Sequence, residues 1–335
     1  MALPGPRGPR RRMHGHPGDG ARVVALGGGH GLAVTLRALR TVTDHLTAVV
    51  GVADDGGSSG RLRADMGVPP PGDLRMALAA LCGDDSWGRT WSRVVQHRFT
   101  RGDLAGHAVG NLLITALWEE TGDLVAGLDW VGALLGAQGR VLPACTQGLE
   151  IVAQVDGAAG QPGVSTVRGQ HRVAVTQGRV VSIAVEPASP PACPEAVAAI
   201  EAAEALVMGP GSWYTSVLAS LLVPGVREAF VASPATRVLL LNLVAQPGET
   251  AGFSPQSHLD VLAEAFPDVR FDVVLADPEH VPDRAALEQA SAALGARLEL
   301  RPVSDGRAGP GHHDPLLLGR AFADLVGHGS IPAWR

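Results

Sequence analysis

The sequence predicts an α/β fold with a mostly parallel sheet that helices cover on both faces. Two observations carry this prediction: short apolar runs alternate with helical segments, and several of the runs end in glycine-rich loops. Strands buried on both faces read as continuous apolar runs, and a strand–helix–strand unit of about 30 residues joins two parallel strands. We therefore expect ligands beyond the carboxyl ends of the strands, where the strand order reverses.

Composition limits the chemistry that the chain can perform. Of 335 residues, 46% are apolar and 18% charged, and the net charge of −6 gives no support for a nucleic-acid surface. All 27 basic residues are arginine, which excludes a Schiff-base lysine and a P-loop ending in GK[ST]. No apolar run reaches the ~18 residues of a membrane span. Cys82, Cys145 and Cys193 lie outside any CxxC motif, which predicts reduced, buried thiols.

The amino terminus differs in composition from the rest of the chain. Residues 1–20 are rich in proline, glycine and arginine and lack the apolar core of a signal peptide. We expect a disordered tail there, with a true start at Met13 or later as the alternative. Residues 21–330 are expected to form a single domain.

The first half of the chain begins with a strand–helix–strand unit. Residues 22–27 are an apolar run that ends in glycines, residues 32–42 have leucines at helical spacing, and residues 46–57 predict a second buried strand. Helices are predicted next over residues 72–81, 89–98, 109–120 and 123–136. Asp73 is the expected amino-terminal cap of the first of them.

The second half contains a hairpin and then a return to alternation. Residues 147–155 predict a strand, and residues 171–187 predict a β-hairpin that turns at Gln177–Gly178 and protrudes from the sheet. Strands with loops are then predicted at 205–211, 237–250 and 270–278, and helices at 194–203, 212–222, 254–266, 284–294 and 315–326. Residues 301–315 predict a loop, where His312, His313 and Asp314 reflect loop polarity more than a metal site.

The loop after the first strand is Gly27-Gly28-Gly29-His30-Gly31. It leads into a helix, whose free amides and dipole favour an anion, and glycine lets a phosphate approach the backbone. Leu32 stands where the GxGxxG fingerprint of dinucleotide-binding folds requires its third glycine, which counts against an ordinary NAD site. A tight turn without a ligand is the alternative.

The loop after the second strand is DDGGSSGR, residues 54–61. An acid at this place commonly accepts hydrogen bonds from a ribose, and Asp54 with Asp55 could hold Mg²⁺ together with phosphate oxygens. The hydroxyl groups of Ser58 and Ser59 could donate to phosphate. A solvated polar loop is the alternative.

Three further segments are candidates for the same cleft. GPGSWYTS, residues 209–216, links a strand to a helix, and its Trp213 and Tyr214 could stack on a ligand or pack in the core. QPGET, residues 246–250, could line the cleft or cap a turn. In GHAVGNL, which opens a helix, His107 is either an acid or base near neutral pH or a structural histidine. No nucleophile elbow and no HExxH motif is present.

The segments GGGHGL, ADDGGSSGRLR, PPGDLRMAL, GHAVGNLLITAL, GPGSWYTS and QPGET resemble, in this order, the YvcK-like gluconeogenesis factor family. This family is a distant relative of 2-phospho-L-lactate transferase, and the similarity runs from about residue 22 to about residue 280. The resemblance implies a CofD-like three-layer α/β/α sandwich with a Rossmann-like sheet. It also implies a cytoplasmic protein that binds UDP-glucose or UDP-N-acetylglucosamine and supports cell shape and wall synthesis during gluconeogenic growth, with no securely assigned reaction.

The resemblance transfers a set of candidate nucleotide contacts to this chain: Gly28, Gly29, Gly31, Asp54, Asp55, Ser58, Ser59, Asn111, Gly211 and Ser212. His30 and Gly57, in the same loops, complete the set of candidate ligand contacts. His30, Met76 and Ala245 depart from the family pattern, and each removes a hydrogen-bonding group near the cleft. A nucleotide-sugar-binding regulator is the first hypothesis. The alternatives are a Mg²⁺-dependent phosphotransferase, with Asp54 and Asp55 as metal ligands, and an NAD-binding oxidoreductase. Homo-oligomer formation and contact with the cell-wall synthesis machinery are further expectations.

Overall fold

A parallel sheet forms the centre of the molecule, which the computed structural model describes over residues 20–160, 162–306, 309 and 311–326. The strands, numbered in chain order, are β1 (Val23–Gly27), β2 (Leu46–Val50), β3 (Arg140–Pro143), β4 (Glu150–Asp156), β5 (Val164–Arg168), β6 (Arg179–Glu186), β7 (Ala205–Met208), β8 (Thr236–Leu240), β9 (Val273–Ala276) and β10 (Arg297–Leu300). Within these residues, seven strands form the parallel sheet in the order β10-β9-β8-β7-β1-β2-β3.

Helices follow most strands and cover the sheet. They are α1 (Gly29–Leu39), α2 (Gly57–Met66), α3 (Gly72–Ala80), α4 (Ser86–Gln96), α5 (Val109–Thr121), α6 (Leu124–Leu135), α7 (Gln170–Ala174), α8 (Pro194–Glu201), α9 (Pro224–Ala232), α10 (Pro255–Ala265), α11 (Arg284–Ala293) and α12 (Pro315–Val326). A π-helical turn at Trp213–Val217 precedes α9. Every residue of β1, β7 and β9 is buried, as expected for strands covered on both faces. The predicted α/β fold is therefore confirmed.

A second, smaller sheet corrects the predicted hairpin. Strand β4 pairs in antiparallel fashion with β5 on one side and with β6 on the other. The first arm of the hairpin predicted over residues 171–187 is wrong, because residues 170–174 form α7. The alternating pattern of HRVAV resembles a strand, but the carboxylate of Asp55 accepts a hydrogen bond from the amide of His171 and so caps a helical turn.

Other differences concern short elements and one cap. The prediction of Asp73 as the cap of α3 is wrong, since Pro71 occupies that position and Asp73 lies in the first turn. Helix α2 begins at Gly57, within the segment that was expected to be a loop. The sequence patterns did not reveal β3, β5, β10 or α9, and β10 in particular is a short, partly exposed edge strand.

The sequence also made predictions about the cysteines, the amino terminus and membrane-spanning segments. Cys82, Cys145 and Cys193 are free and buried, which confirms the prediction. Most of the predicted tail, and with it the alternative start at Met13, lies outside the described residues. Among the residues described, no single helix is long and apolar enough to cross a membrane. One bent pair, Trp213–Leu221 with Pro224–Ala232, passes by length and composition but is broken by an angle of 72°.

Candidate functional site

The order of the strands reverses between β1 and β7. From β1 the chain continues outward through β2 and β3, and it later returns to the other side of β1 with β7. The loops that leave β1 and β7 therefore start side by side at the carboxyl edge of the sheet. The chain then continues from β1 toward β2 on one side and from β7 toward β8 on the other. In open α/β sheets this is the place where ligands bind.

The two loops at this point touch each other directly. A Cβ atom on Gly31 would lie 2.0 Å from the carbonyl oxygen of Pro210 and 2.8 Å from the Cα of Gly211. Asn242, after β8, holds Gly211 from the other side, because it accepts from the Gly211 amide at 2.9 Å and donates to its carbonyl at 2.8 Å. Gly31 is thus required by the protein's own backbone, whether or not a ligand is bound.

Asp73 lies against the glycine loop. Its Oδ2 would be 2.5 Å from a Cβ atom on Gly28, so a side chain there would displace the carboxylate. The amide of Gly29, in the first turn of α1, donates to the Asp73 carboxylate. Burial, followed by the charge of Asp54, raises the pKa of Asp73 to about 7, while the Gly29 amide and Arg75 act in the opposite direction.

The two adjacent acids after β2 point to different partners. Oδ2 of Asp54 would lie 2.5 Å from a Cβ atom on Gly72, at the start of α3, and its charge acts on Asp73. Asp55 instead accepts from the amide of His171 at 2.8 Å, so its carboxylate fastens the small sheet to the main one. The charge of Asp54 therefore reaches Asp73, while Asp55 is engaged with α7, and Asp54 with Asp55 as Mg²⁺ ligands stays a prediction.

Asp54 and Asp73 fit a divalent cation. Mg²⁺ is commonly held by one or two carboxylates together with phosphate oxygens and water, and its charge would offset the cost of burying Asp73. In the described part of the chain, no three His, Cys, Asp or Glu side chains converge as a protein-only metal site, the 312–314 segment included. An ion here would need ligand oxygens to complete its shell.

Ser58 and Ser59 join the start of α2 to the start of α5. Oγ of Ser58 lies 3.1 Å from Nδ1 of His107 and accepts from Nδ2 of Asn111 at 3.0 Å, and the same Nδ2 lies 3.5 Å from Oγ of Ser59. Burial, and then the charge of Arg61, lowers the pKa of His107. These contacts agree with the structural interpretation of His107. Oδ1 of Asn111 is buried and has no partner within the described residues.

The segment after β7 uses its amides internally. Oε2 of Glu249, from the QPGET segment, accepts from the amides of Tyr214 at 3.1 Å and Thr215 at 3.2 Å, and Gln246 accepts from the amide of Trp213 at 3.2 Å. Burial raises the pKa of Glu249 to about 7 against the effect of these hydrogen bonds. Trp213 and Tyr214 are both buried, which favours core packing over stacking on a ligand.

A narrow cavity of about 10 Å³, partly open to solvent, lies at the ends of β1 and β2. Such a volume holds about one water molecule, so a larger ligand would enter only if the surrounding loops moved apart. Its polar lining consists of Asp73, Gln170, Thr215 and Ser216. The rest of the lining is Gly27, Gly28, Gly51, Val52, Ala53, Ala144, Leu149, Val185, Ala219 and Val223.

The structure brings some of the predicted contacts together and separates others. Gly28, Gly29 and Asp54 gather around Asp73, and Gly31 meets Gly211. Ser58 and Ser59 meet Asn111, Asp55 binds the small sheet, His30 is exposed in the first turn of α1, Gly57 opens α2, and Ser212 precedes the π-helical turn. These residues stay predictions as ligand contacts.

Sequence reasoning missed two side chains of the cavity and one beside it. Asp73 stands in the quoted motif PPGDLRMAL but was interpreted as a helix cap. Gln170 and Asn242 carry no local signal, because their partners Thr215 and Gly211 are distant along the chain. Only tertiary contacts identify them.

Known proteins are similar to this chain in sequence and in fold. The family model described as "2-phospho-L-lactate transferase CofD" matches residues 23–301. A Mycobacterium leprae protein named "Putative gluconeogenesis factor" is 50% identical over 309 residues, which cover 91% of this chain and 86% of that protein. The "Gluconeogenesis factor" of Bacillus subtilis strain 168 is 36% identical over 267 residues, 79% of this chain and 81% of that protein.

A solved structure supports the same assignment. The crystal structure of a UPF0052 family member from Bacillus halodurans superposes with a TM-score of 0.80 at 32% identity, and the match covers 90% of this chain and 98% of that one. The chain therefore belongs to the CofD family, among the relatives that are named gluconeogenesis factors.

Proposed function

We propose that this chain binds a nucleotide sugar, UDP-glucose or UDP-N-acetylglucosamine, at the carboxyl edge between β1 and β7. In this proposal it is a cytoplasmic regulator that supports cell shape and wall synthesis during gluconeogenic growth. The names of its relatives support the gluconeogenic context. The ligand class rests on the resemblance and on the chemistry of the cleft.

The observation that carries the proposal is the start of α1. Gly28 flanks this helix and has no side chain that could cap it, and the Asp73 carboxylate takes the amide of Gly29. The first-turn amides of a helix have no carbonyl partner inside the helix, and together with the dipole they stabilise an anion by roughly 0.3–1 kcal/mol per charge. Because Gly28, Gly29 and Gly31 have no side chains, a diphosphate can reach the remaining amides of this turn, those of His30 and Gly31.

Calorimetry tests the proposal. The purified protein is titrated with UDP-N-acetylglucosamine, UDP-glucose, GTP and NAD, each with and without Mg²⁺. We expect binding of the UDP-sugars without turnover. Asp54→Ala should weaken that binding more than tenfold, about 1.4 kcal/mol, whereas Asp260→Ala, at an exposed position of α10, should leave it unchanged. Equal affinities of the two variants would remove Asp54 from the site, and no binding of either UDP-sugar by the unmodified protein would end the proposal.

The phosphotransferase alternative has an observation of its own in the Asp54–Asp73 pair. Two carboxylates beside a helix amino terminus are suited to a Mg²⁺-bound phosphate. Under this alternative, GTP binds only in the presence of Mg²⁺, its γ-phosphoryl group passes to a hydroxyl oxygen of an acceptor, and GDP and the hydroxyl proton are released. Asp73→Asn would then abolish the Mg²⁺-dependent binding of GTP. The same titrations, followed by product analysis, separate the two functions.

A further inference from the structure

We propose that α4 and the loop after it bind the surface of an anionic lipid bilayer. Two features of this part of the chain carry the inference: a row of exposed apolar side chains, and a run of arginines without acids. Helix α4 packs on α3 and α6, which cover the β2–β3 edge of the sheet. The inference does not depend on which ligand the cleft binds.

Apolar side chains of α4 lie on the outside of the molecule. Only two of its 11 residues are buried. Trp87, Trp91 and Val94 follow one another at the i, i+4 and i+7 spacing of one helical face. Trp87 is 52% exposed and Val94 is 37% exposed. Leu134 of α6, 39% exposed, extends the row, because Nε1 of Trp87 donates to its carbonyl oxygen at 3.2 Å. Tryptophan is mostly buried in folded proteins, so a row of this kind marks an interaction surface.

The same segment concentrates positive charge. Residues 86–101 contain no aspartate or glutamate and four arginines: Arg89, Arg93, Arg98 and Arg101. All four are exposed, in a chain whose net charge is −6. Asp103 follows just beyond the run and offsets one of these charges. Arg89 and Arg93 lie one turn apart on α4, and within the described residues neither forms an ion pair.

The acids of the turn before α4, and Asp129 on α6, are already engaged. Asp85 caps α4. Asp84 pairs with Arg40 at 2.6 Å, and Asp129 pairs with Arg140 at 2.7 Å. Their charges are therefore offset within the protein, and the arginines of residues 86–101 remain available to an external anion.

An anionic bilayer offers both groups that this surface lacks. Tryptophan rings settle at the level of the lipid headgroups, aliphatic side chains enter the acyl boundary, and arginines contact the lipid phosphates. A nucleic-acid duplex supplies phosphates but no apolar layer for Val94 and Leu134, and a second copy of this chain would place like charges against each other. Because the apolar row is short, the arginines must contribute, so the binding is reversible and weakens with salt.

Sedimentation with lipid vesicles tests the proposal. We expect the full chain to bind vesicles of phosphatidylglycerol and phosphatidylcholine in equal parts at low salt, and not vesicles of phosphatidylcholine alone. Arg89→Gln with Arg93→Gln should weaken this binding about fivefold for each arginine. Trp87→Ser should weaken it about tenfold, as expected for the partial burial of one large apolar side chain.

The matched control is Arg270→Gln with Arg284→Gln, which removes the same charge from exposed positions near the opposite edge of the sheet. It should bind vesicles as the unmodified protein does, and thermal unfolding establishes that every variant is folded. Brominated phosphatidylglycerol should quench the tryptophan fluorescence of the unmodified protein, and Trp87→Phe should reduce the quenching.

Four results would overturn the inference. The first is no binding to the anionic vesicles at low salt, and the second is equal binding by the two double variants. Binding of duplex DNA without binding of vesicles would assign the surface to nucleic acid. A dimer in analytical ultracentrifugation that Trp87→Ser abolishes, again without vesicle binding, would assign it to a second copy of the chain. None of these results bears on the UDP-sugar titrations.

Discussion

Replacing Gly31 with alanine tests the contact between the loops after β1 and β7. The new Cβ atom would lie 2.0 Å from the Pro210 carbonyl oxygen and 2.5 Å from its carbon. Ordinary contacts are ~3.5 Å, so one backbone segment must move by roughly 1.5 Å. Overpacking of this kind costs about 1–3 kcal/mol. Since the neighbours are backbone atoms, which cannot rotate away, we expect a loss near the upper end of that range.

The control for this substitution has the opposite expected sign. In a helix, alanine is more stable than glycine by roughly 1 kcal/mol when nothing is in its way. Gly132 in α6 offers that situation, because its added Cβ atom would lie no closer than 3.8 Å to a neighbour, the Leu78 side chain. Urea unfolding of Gly31→Ala and Gly132→Ala should therefore shift the midpoint in opposite directions. A Gly31→Ala variant as stable as the unmodified protein would refute the contact.

Three further predictions concern Glu249, Asp55 and the cysteines. The pKa of Glu249 is raised from 4.5 to about 7. Its contribution to the free energy of unfolding is therefore full below pH 4.5 and falls by about 3 kcal/mol as the pH rises to 7. Glu249→Gln should remove this part of the pH dependence of the urea midpoint. Asp55→Ala should cost about 1 kcal/mol and speed amide hydrogen exchange in α7, whereas Asp54→Ala should not affect that exchange. Burial raises the pKa of Cys82, Cys145 and Cys193 to about 11, so a thiol reagent at pH 8 should label none of them before unfolding and all three in urea.

The central strands could be predicted from the sequence because their burial produces a recognisable pattern among neighbouring residues. Strands β1, β2, β7, β8 and β9 are covered on both faces and read as continuous apolar runs. Strand β10 is short and lies at the edge of the sheet, so its pattern is weak. Helix α2 starts with glycines and serines, which have low helical propensity, and Asn111 on α5 holds it through the Ser58 hydroxyl.

The residues of the candidate site likewise divide into those that local sequence patterns indicate and those that only tertiary contacts identify. The sequence by itself determined the glycine loops, the acids that follow β2 and the family, since each of these is a pattern among neighbouring residues. Only the tertiary structure decided that the charge of Asp54 acts on Asp73, that Asp55 binds α7, and that Glu249 occupies the amide of Tyr214. The physical reason is that a carboxylate finds its partner through space, and the packing of distant segments sets which amides and charges lie within its reach.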